Sequence, residues 1–102
     1  MQPDKAMVAA QLRDLIRRYE DSFAPDATFD VPPGWLLVLE WALESLAKSR
    51  RRVRIVRLEA RDGRLYAVFA PNGDPRGERV IQTLLGDCRF YCPTCGTFVY
   101  VE

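Results

Sequence analysis

The stretch around Asp62-Gly63 constrains the fold more than any other part of the chain. A two-residue type I′ turn needs positive φ angles, which this dipeptide adopts at low cost, and apolar residues alternate with polar ones on both sides of it. The sequence therefore predicts an antiparallel hairpin over residues 53 to 70. On one face the turn pairs apolar residues with each other: Leu58 with Ala67, Ala60 with Leu65, and Val56 with Phe69. The opposite face receives Arg57, Glu59, Tyr66 and Val68.

Helical periodicity predicts two helices before the hairpin. The first covers residues 4 to 22, where apolar residues recur every three or four positions opposite charged ones. The stretch FAPDATFDVPPG interrupts this pattern. The second helix runs from Pro33, which suits a first helical turn, to about Lys48, and Asp30 is a candidate N-terminal cap.

The second helix carries more large apolar residues than one buried stripe needs. Leu37 and Trp41 fall on its polar side, among glutamates and a lysine. Either a neighbouring helix or the C-terminal strand covers these two side chains, or they form an exposed anchor for a protein partner. The main stripe consists of Leu36, Leu39, Leu43, Leu46 and Ala47, flanked by Trp35 and Ala42.

Asp74 followed by Pro75 predicts the cap and first position of a third helix that ends at Gly86. A strand over residues 79 to 85 is the alternative, and residues 97 to 102 are predicted as a strand. The expected buried side of the third helix consists of Val80, Ile81, Leu84 and Leu85. A chain of 102 residues with 48% hydrophobic content fits one domain. We expect an α+β domain: two N-terminal helices packed on an antiparallel β-hairpin, a short third helix, and a C-terminal knuckle and strand that join the sheet.

The three cysteines lie close together, and the segment Cys92-Pro93-Thr94-Cys95-Gly96 has the spacing of a zinc knuckle. A structural zinc takes four ligands, yet the chain contains no histidine. The remaining candidates nearby are Cys88, Asp87 and Glu102. In an extended strand the α-carbons of Cys88 and Cys92 would lie about 13 Å apart, so Cys88 joins the site only if the chain curls there.

Two such knuckles from two chains would supply four thiolates, so a zinc-bound homodimer is one answer to the missing ligands. Free thiols in a metal-free turn are a second interpretation, and a disulfide or redox pair is a third.

Charge is distributed unevenly although the net charge is only +1. Residues 1 to 47 carry a net charge of −4, residues 48 to 64 carry +6, and residues 65 to 102 carry −1. The central arginines could contact the phosphates of a nucleic acid or an acidic protein, with Tyr66 as the one ring on the same face. Alternatively, they stabilise the end of the second helix and solubilise an edge strand. We call this set the arginine cluster: Arg50, Arg51, Arg52, Arg54 and Arg57.

The residue types that usually serve catalysis are scarce. The chain has no histidine, and its serines are limited to three. We therefore expect no enzyme activity, with a thiol redox or metal-dependent enzyme centred on the C-x-x-C as the alternative. No stretch approaches the roughly 18 apolar residues of a membrane span, and the N-terminus lacks the order of a secretory signal, which predicts a soluble, cytoplasmic protein without membrane contact.

Gly34-Trp35 opens an apolar helix, a charged strand leads into the hairpin that contains Leu65-Tyr66, and the C-x-x-C-G segment follows. This order resembles a group of small accessory proteins encoded by phages and prophages, over about the C-terminal two thirds of the chain. RDGRLY stands where that group tends to have a turn rich in lysine, phenylalanine and glycine, and no second cysteine pair follows.

The resemblance implies a phage-borne protein, a class that includes inhibitors of bacterial defence systems such as CRISPR that act by direct protein binding. Together with the surface features, it predicts a small non-catalytic protein that occludes a protein partner. The contact would be made by Leu37 and Trp41 or by the arginine cluster.

Overall fold

The computed structural model describes residues 5 to 98, with side chains described from residue 9 onward. Within these residues, three helices and three strands form an α+β fold, as the sequence predicts. In chain order the elements are α1 (Lys5–Arg18), β1 (Phe23–Phe29), α2 (Leu36–Ser49), β2 (Ile55–Arg61), β3 (Arg64–Phe69) and α3 (Pro75–Leu85).

The predicted hairpin is present as β2 and β3, which pair antiparallel around Asp62 and Gly63 with φ angles of 52° and 79°. The register matches the prediction near the turn and departs from it at the far end. Ile55, not Val56, pairs with Phe69, because the register shifts between Ile55 and Arg57. Such an irregularity reverses which side chain faces inward, so Ile55 is fully buried and Val56 is only half-buried.

Strand β1 is the element that the sequence did not predict, since its residues were interpreted as a break between helices. It lies at the edge of the sheet, in the order β1-β2-β3, and runs parallel to β2 with α2 as the crossover. Pro25 is tolerated there because an edge strand can lack one backbone donor. The register shifts between Phe23 and Thr28, which removes the regular alternation that would have revealed a strand.

Both N-terminal helices differ from their predicted bounds. α1 ends at Arg18, and Glu20–Ser22 form a separate 3-10 turn. α2 follows a 3-10 turn at Pro33–Trp35 and ends where Arg50 adopts a φ of 59°. Asp30 does not cap α2; its backbone N–H donates to the carbonyl of Leu58 and so continues the pairing between β1 and β2.

α3 begins as predicted, because the carboxylate of Asp74 accepts a hydrogen bond of 2.9 Å from the backbone N–H of Arg76. Ile81 and Leu85 are fully buried, whereas Val80, predicted on the same side, is 37% exposed. Contrary to the sequence prediction, the helical conformation does not stop at Gly86. Its φ is −62°, and residues Gly86–Phe90 continue as a 3-10 helix.

The core lies between α2, α3 and one face of the sheet. α2 contributes five buried residues, more than any other element. The predicted stripe is correct for Leu39, Leu43 and Leu46 and for the flanking Ala42, but not for Leu36, which is half-buried, or Ala47, which is exposed. The largest fully buried side chains are Leu39, Leu43, Leu46, Ile55, Leu58, Leu65, Ile81, Leu85 and Cys88.

Within the described residues, the sheet ends at β3, and α3 lies against its outer edge. The backbone N–H of Ala67 donates a hydrogen bond of 3.0 Å to the side-chain oxygen of Gln82. Of the predicted C-terminal strand, only a single bridge between Tyr91 and Phe98 is seen, and residues 99 to 102 lie outside the described part. Over the range that the structure describes, no helix combines the length and the apolar character needed to cross a membrane.

Candidate protein-binding face and thiol pair

The knuckle, residues 92 to 96, is fastened to the start of α2. The backbone N–H of Gly34 donates a hydrogen bond of 2.7 Å to the carbonyl of Pro93, and the indole N–H of Trp35 donates one of 3.0 Å to the carbonyl of Tyr91. A Cβ atom at Gly34 would collide with the carbonyl oxygen of Cys92. Gly34 therefore allows the two backbones to touch, and the predicted Gly-Trp motif is where the knuckle docks.

The knuckle is closed by its own backbone hydrogen bonds. Gly96 donates from its N–H to the carbonyl of Cys92 at 2.8 Å, and Cys92 donates to the carbonyl of Thr97 at 2.9 Å. Gly96 has a φ of 78°, a conformation that glycine adopts most easily. This turn brings the side chains of Cys92 and Cys95, which we call the thiol pair, next to each other.

Cys95 is exposed, and its sulfur lies 3.1 Å from the hydroxyl oxygen of Thr97. Hydrogen bonds from the Thr97 side chain and backbone, and then from Cys92, lower the pKa of Cys95 to about 7. A thiolate is the form of cysteine that attacks electrophiles and binds metals. Cys95 is therefore chemically available near neutral pH.

Cys88 has a different environment. The chain does curl there, into the 3-10 helix, but the side chain is fully buried in the core. Burial raises the pKa of its thiol to about 12. In the part of the chain that the structure describes, no group of three or more potential metal ligands is found, so Cys88 is not brought together with the thiol pair. Asp87 is exposed, and Glu102 lies outside the described residues.

Leu37 and Trp41 are 51% and 49% exposed, respectively, so the described chain leaves about half of each side chain open to solvent. The Trp41 ring meets the edge of Tyr91 at a centroid distance of 6.4 Å, and Tyr91 in turn meets Phe98 at 5.6 Å. Phe98 is 60% exposed and stacks on Phe90 at 6.5 Å. We call this contiguous surface the aromatic face: Leu37, Trp41, Phe90, Tyr91 and Phe98.

Sequence reasoning found only the two members of the aromatic face that lie on α2. The other three come from the segment RFYCPTCGTF, in which aromatic residues flank the knuckle on both sides. That flanking pattern is a signal in the sequence, but the contact with α2 depends on the docking of the knuckle. Only the folded chain shows it.

A groove of about 410 Å³ runs between α1 and α2 and has Leu37 and Cys95 among its lining residues. Two carboxylates on its wall are already paired with one cation. Arg18 donates to Asp14 at 2.9 Å and to Glu40 at 3.1 Å. The groove thus extends from Cys95 of the thiol pair to Leu37 of the aromatic face. Its two carboxylates and its arginine are paired with one another.

Most of the arginine cluster lies in the loop between α2 and β2. Arg50, Arg52 and Arg54 are exposed, and Arg51 forms an ion pair of 3.3 Å with Asp74. A depression of about 380 Å³ brings three of these arginines together with two from the end of α1, which sequence reasoning did not include. Its charged lining consists of Arg17, Arg18, Arg50, Arg51 and Arg52, together with Glu20 and Asp21.

Arg57 and Tyr66 lie on the sheet and do not line this depression. Arg57 approaches Glu59 at 3.9 Å. The guanidinium carbons of Arg61 and Arg64 lie 5.5 Å and 4.6 Å from the centre of the Tyr66 ring. Since two cations of the same chain already cover this ring, it is poorly placed to stack on a nucleic-acid base.

The aromatic face and the thiol pair are thus neighbouring surfaces, and both depend on the docking of the knuckle against Gly34 and Trp35. The arginine depression is formed by other segments of the chain. In comparisons with known proteins, no family model, no curated protein sequence and no solved structure matches this chain.

Proposed function

We propose that this protein is a non-catalytic binding protein that occludes the surface of a protein partner with its aromatic face. The observation that carries the proposal is the contiguous exposure of Leu37, Trp41 and Phe98. Tryptophan and packed aromatic residues are enriched where interfaces gain most of their binding energy. Each apolar Å² that leaves water on binding contributes about 25 cal/mol before the costs of association.

The aromatic face is supported by the rest of the fold, which favours binding. Trp41 lies on a helix whose opposite side is the core, and the backbone of Tyr91 is held by Trp35. Groups that are already ordered lose little conformational entropy when a partner arrives. An apolar surface whose residues are held by such contacts suits the binding of a partner without a chemical reaction.

The charges around the aromatic face indicate what kind of partner it fits. Glu40 is paired with Arg18, and Glu44 is paired with Lys48 at 3.1 Å. Because these carboxylates are neutralised within the chain, the partner surface need not be cationic. We infer a partner protein whose contact surface has an apolar centre.

The resemblance to phage and prophage accessory proteins supports a narrower proposal. In this proposal the partner is a component of a bacterial defence system, such as a CRISPR effector, and the mechanism is occlusion of a surface that the system needs. Gly34-Trp35, directly before α2, carries one part of this resemblance, and the knuckle carries another.

The test compares two double variants with the wild type. In the first, Leu37→Asp and Trp41→Asp place charges on the aromatic face. In the matched control, Val68→Asp and Val80→Asp place charges on two other exposed apolar residues, 41% and 37% exposed. Proteins captured from a bacterial lysate are identified by quantitative mass spectrometry, and the strongest candidate is then purified and titrated by calorimetry.

We expect the purified candidate to bind the wild type and the control equally, and the aromatic-face variant at least tenfold more weakly. Equal affinity for all three proteins would refute the proposal. Loss of cooperative unfolding in the aromatic-face variant would also refute it, because Leu37 and Trp41 would then be needed for the core.

Binding of a nucleic acid is a second candidate function, and the arginine depression is the observation that favours it. It takes second place because Glu20 and Asp21 lie in the same depression and Arg18 is committed to two carboxylates. For a phosphate interface, log K should fall linearly with log salt, by about 0.9 per phosphate contact on duplex DNA. An Arg50→Glu, Arg52→Glu variant should reduce both the affinity and this slope, and salt-independent binding would contradict the proposal.

A further inference from the structure

We propose that the thiol pair is half of a zinc site, which the same two cysteines of a second copy of this chain complete. The site would be a tetrahedron of four thiolates on the two-fold axis of a homodimer. This inference goes beyond the protein-binding proposal and does not depend on it.

The spacing and the backbone turn of the knuckle suit a pair of thiolates that bind one metal ion. Cys92 and Cys95 stand three positions apart in a turn closed by the hydrogen bond from Gly96 to Cys92. Gly96, with its positive φ, lets the chain reverse immediately after the second sulfur. Thiolate ligands select zinc over magnesium or calcium, and each sulfur then lies about 2.3 Å from the ion.

The knuckle is ordered by contacts that need no metal. The backbone N–H of Gly34 and the indole N–H of Trp35 each donate a hydrogen bond to the backbone of this segment. Cys95 is exposed and Cys92 is half-buried, so an ion bound to both would lie on the outside of the molecule. Ligands that are already positioned bind a metal at a small cost in ordering.

The remaining two ligands are the reason for a second copy. A structural zinc takes four ligands, and the described residues contain no further cysteine, histidine or carboxylate grouped with the pair. Asp14 and Glu40 share the groove with Cys95, but both are engaged by the guanidinium of Arg18, whose charge also repels a cation. An isologous dimer supplies two further cysteines by symmetry.

Native mass spectrometry of the full chain purified in the presence of zinc gives the metal content and the number of chains together. We expect a dimer with one zinc ion, and a metal-free monomer after treatment with a chelator. Substitution of zinc by cobalt(II) should give the visible absorption of a tetrahedral thiolate site.

Cys95→Ser should yield a metal-free monomer with the stability of the chelator-treated wild type, since that side chain is exposed and only the contribution of the bound zinc is lost. Cys88→Ala is the matched control, and we expect it to keep one zinc per dimer because Cys88 lies in the core. Circular dichroism checks that both variants are folded.

Three results would overturn the inference. One zinc per monomeric chain would place all ligands within a single copy. A dimer that survives complete removal of zinc would show that the metal does not join the chains. Zinc retained by Cys95→Ser at the wild-type ratio would show that the knuckle is not the site. None of these readouts changes if the aromatic face proves to have no protein partner.

Discussion

The indole nitrogen of Trp35 lies 3.0 Å from the backbone carbonyl oxygen of Tyr91, to which it donates a hydrogen bond across 56 positions of sequence. This bond joins the residue directly before α2 to the segment that carries the thiol pair and three of the five residues of the aromatic face. The Trp35 side chain is only 3% exposed, so it also fills part of the core. The two candidate surfaces are therefore connected to the stability of the domain through one residue.

Trp35→Phe keeps most of the apolar volume but removes the N–H donor and leaves the Tyr91 carbonyl without its partner. We expect the free energy of unfolding to fall by about 2 kcal/mol, which urea titration measures. The control, Trp41→Phe, changes a half-exposed ring and should cost less than about 0.5 kcal/mol. Equal effects of the two substitutions would show that the bond between α2 and the knuckle contributes nothing to stability.

Gly34→Ala should displace the knuckle, because the new Cβ would collide with backbone atoms of Cys92, Pro93 and Gly96. We expect a loss of about 2 kcal/mol, typical of overpacking at a rigid contact, and shifts of the amide NMR signals of residues 92 to 96. Gly86→Ala is the control. Gly86 has a helical φ of −62°, and its added Cβ meets only the Arg64 side chain at 3.7 Å, so this variant should be neutral or slightly stabilised. Unchanged knuckle signals in Gly34→Ala would contradict the close backbone contact.

The cysteines should differ sharply in their reaction with iodoacetamide when the protein is metal-free. The pKa of Cys95 is lowered from the usual 9.0 to about 7, so its alkylation rate should rise through a midpoint near neutral pH. Cys88 should stay unmodified in the folded protein, because it is buried and its pKa is raised to about 12. Peptide mass spectrometry after timed labelling measures each site.

Thr97→Val removes the hydroxyl that lies against the Cys95 sulfur, and we expect the midpoint to move upward toward the usual thiol value. Protein unfolded in urea is the reference, in which the three cysteines should react at similar rates. A midpoint unaffected by Thr97→Val would show that the hydroxyl does not stabilise the thiolate.

The cap of α3 should make stability depend on pH in the acidic range. The backbone N–H of Arg76, then the Arg51 side chain, lower the pKa of Asp74 below its usual 3.8. A carboxylate with a lowered pKa stabilises the fold above the unfolded-state pKa, and this contribution is lost as the pH falls through the folded-state pKa.

Asp74→Asn keeps an oxygen acceptor for the cap but has no charge to lose, whereas Asp74→Ala removes the cap. Thermal unfolding at neutral pH should rank the wild type first, Asp74→Asn slightly below it and Asp74→Ala clearly lower. In acid, the wild type should converge on Asp74→Asn. A constant difference between these two proteins down to the lowest pH would show that the charge of Asp74 plays no part.

Local chemistry explains which elements could be predicted from the sequence. The turn at Asp62-Gly63 and the cap at Asp74 depend on residues that are adjacent in the chain, and both are present as expected. β1 was missed because its identity as a strand comes from pairing with β2, more than 25 positions away, in a register too irregular to alternate. The 3-10 helix Gly86–Phe90 likewise depends on packing, because it places the Cys88 side chain in the core.

The candidate site also contains some residues that the sequence could predict and others that only the fold brings together. The helical wheel places Leu37 and Trp41 on the polar side of α2, but the sequence leaves open whether another segment covers them. The structure answers this, since about half of each side chain is exposed. The other three residues of the aromatic face depend on the fold, because Tyr91 reaches Trp41 only when the knuckle docks on Gly34. No spacing rule relates residues that far apart in sequence.

The contact between Gln82 and Ala67 has a consequence for how this protein behaves at high concentration. An amide side chain from α3 already accepts the backbone hydrogen at the middle of β3's outer margin, where an incoming strand would have to pair. Fibrillar growth requires each molecule to recruit a neighbour on two sides. Because Gln82 occupies a backbone donor at the β3 edge, folded molecules should not add to one another along the sheet in long chains. Concentrated solutions should therefore contain only small oligomers and show no turbidity.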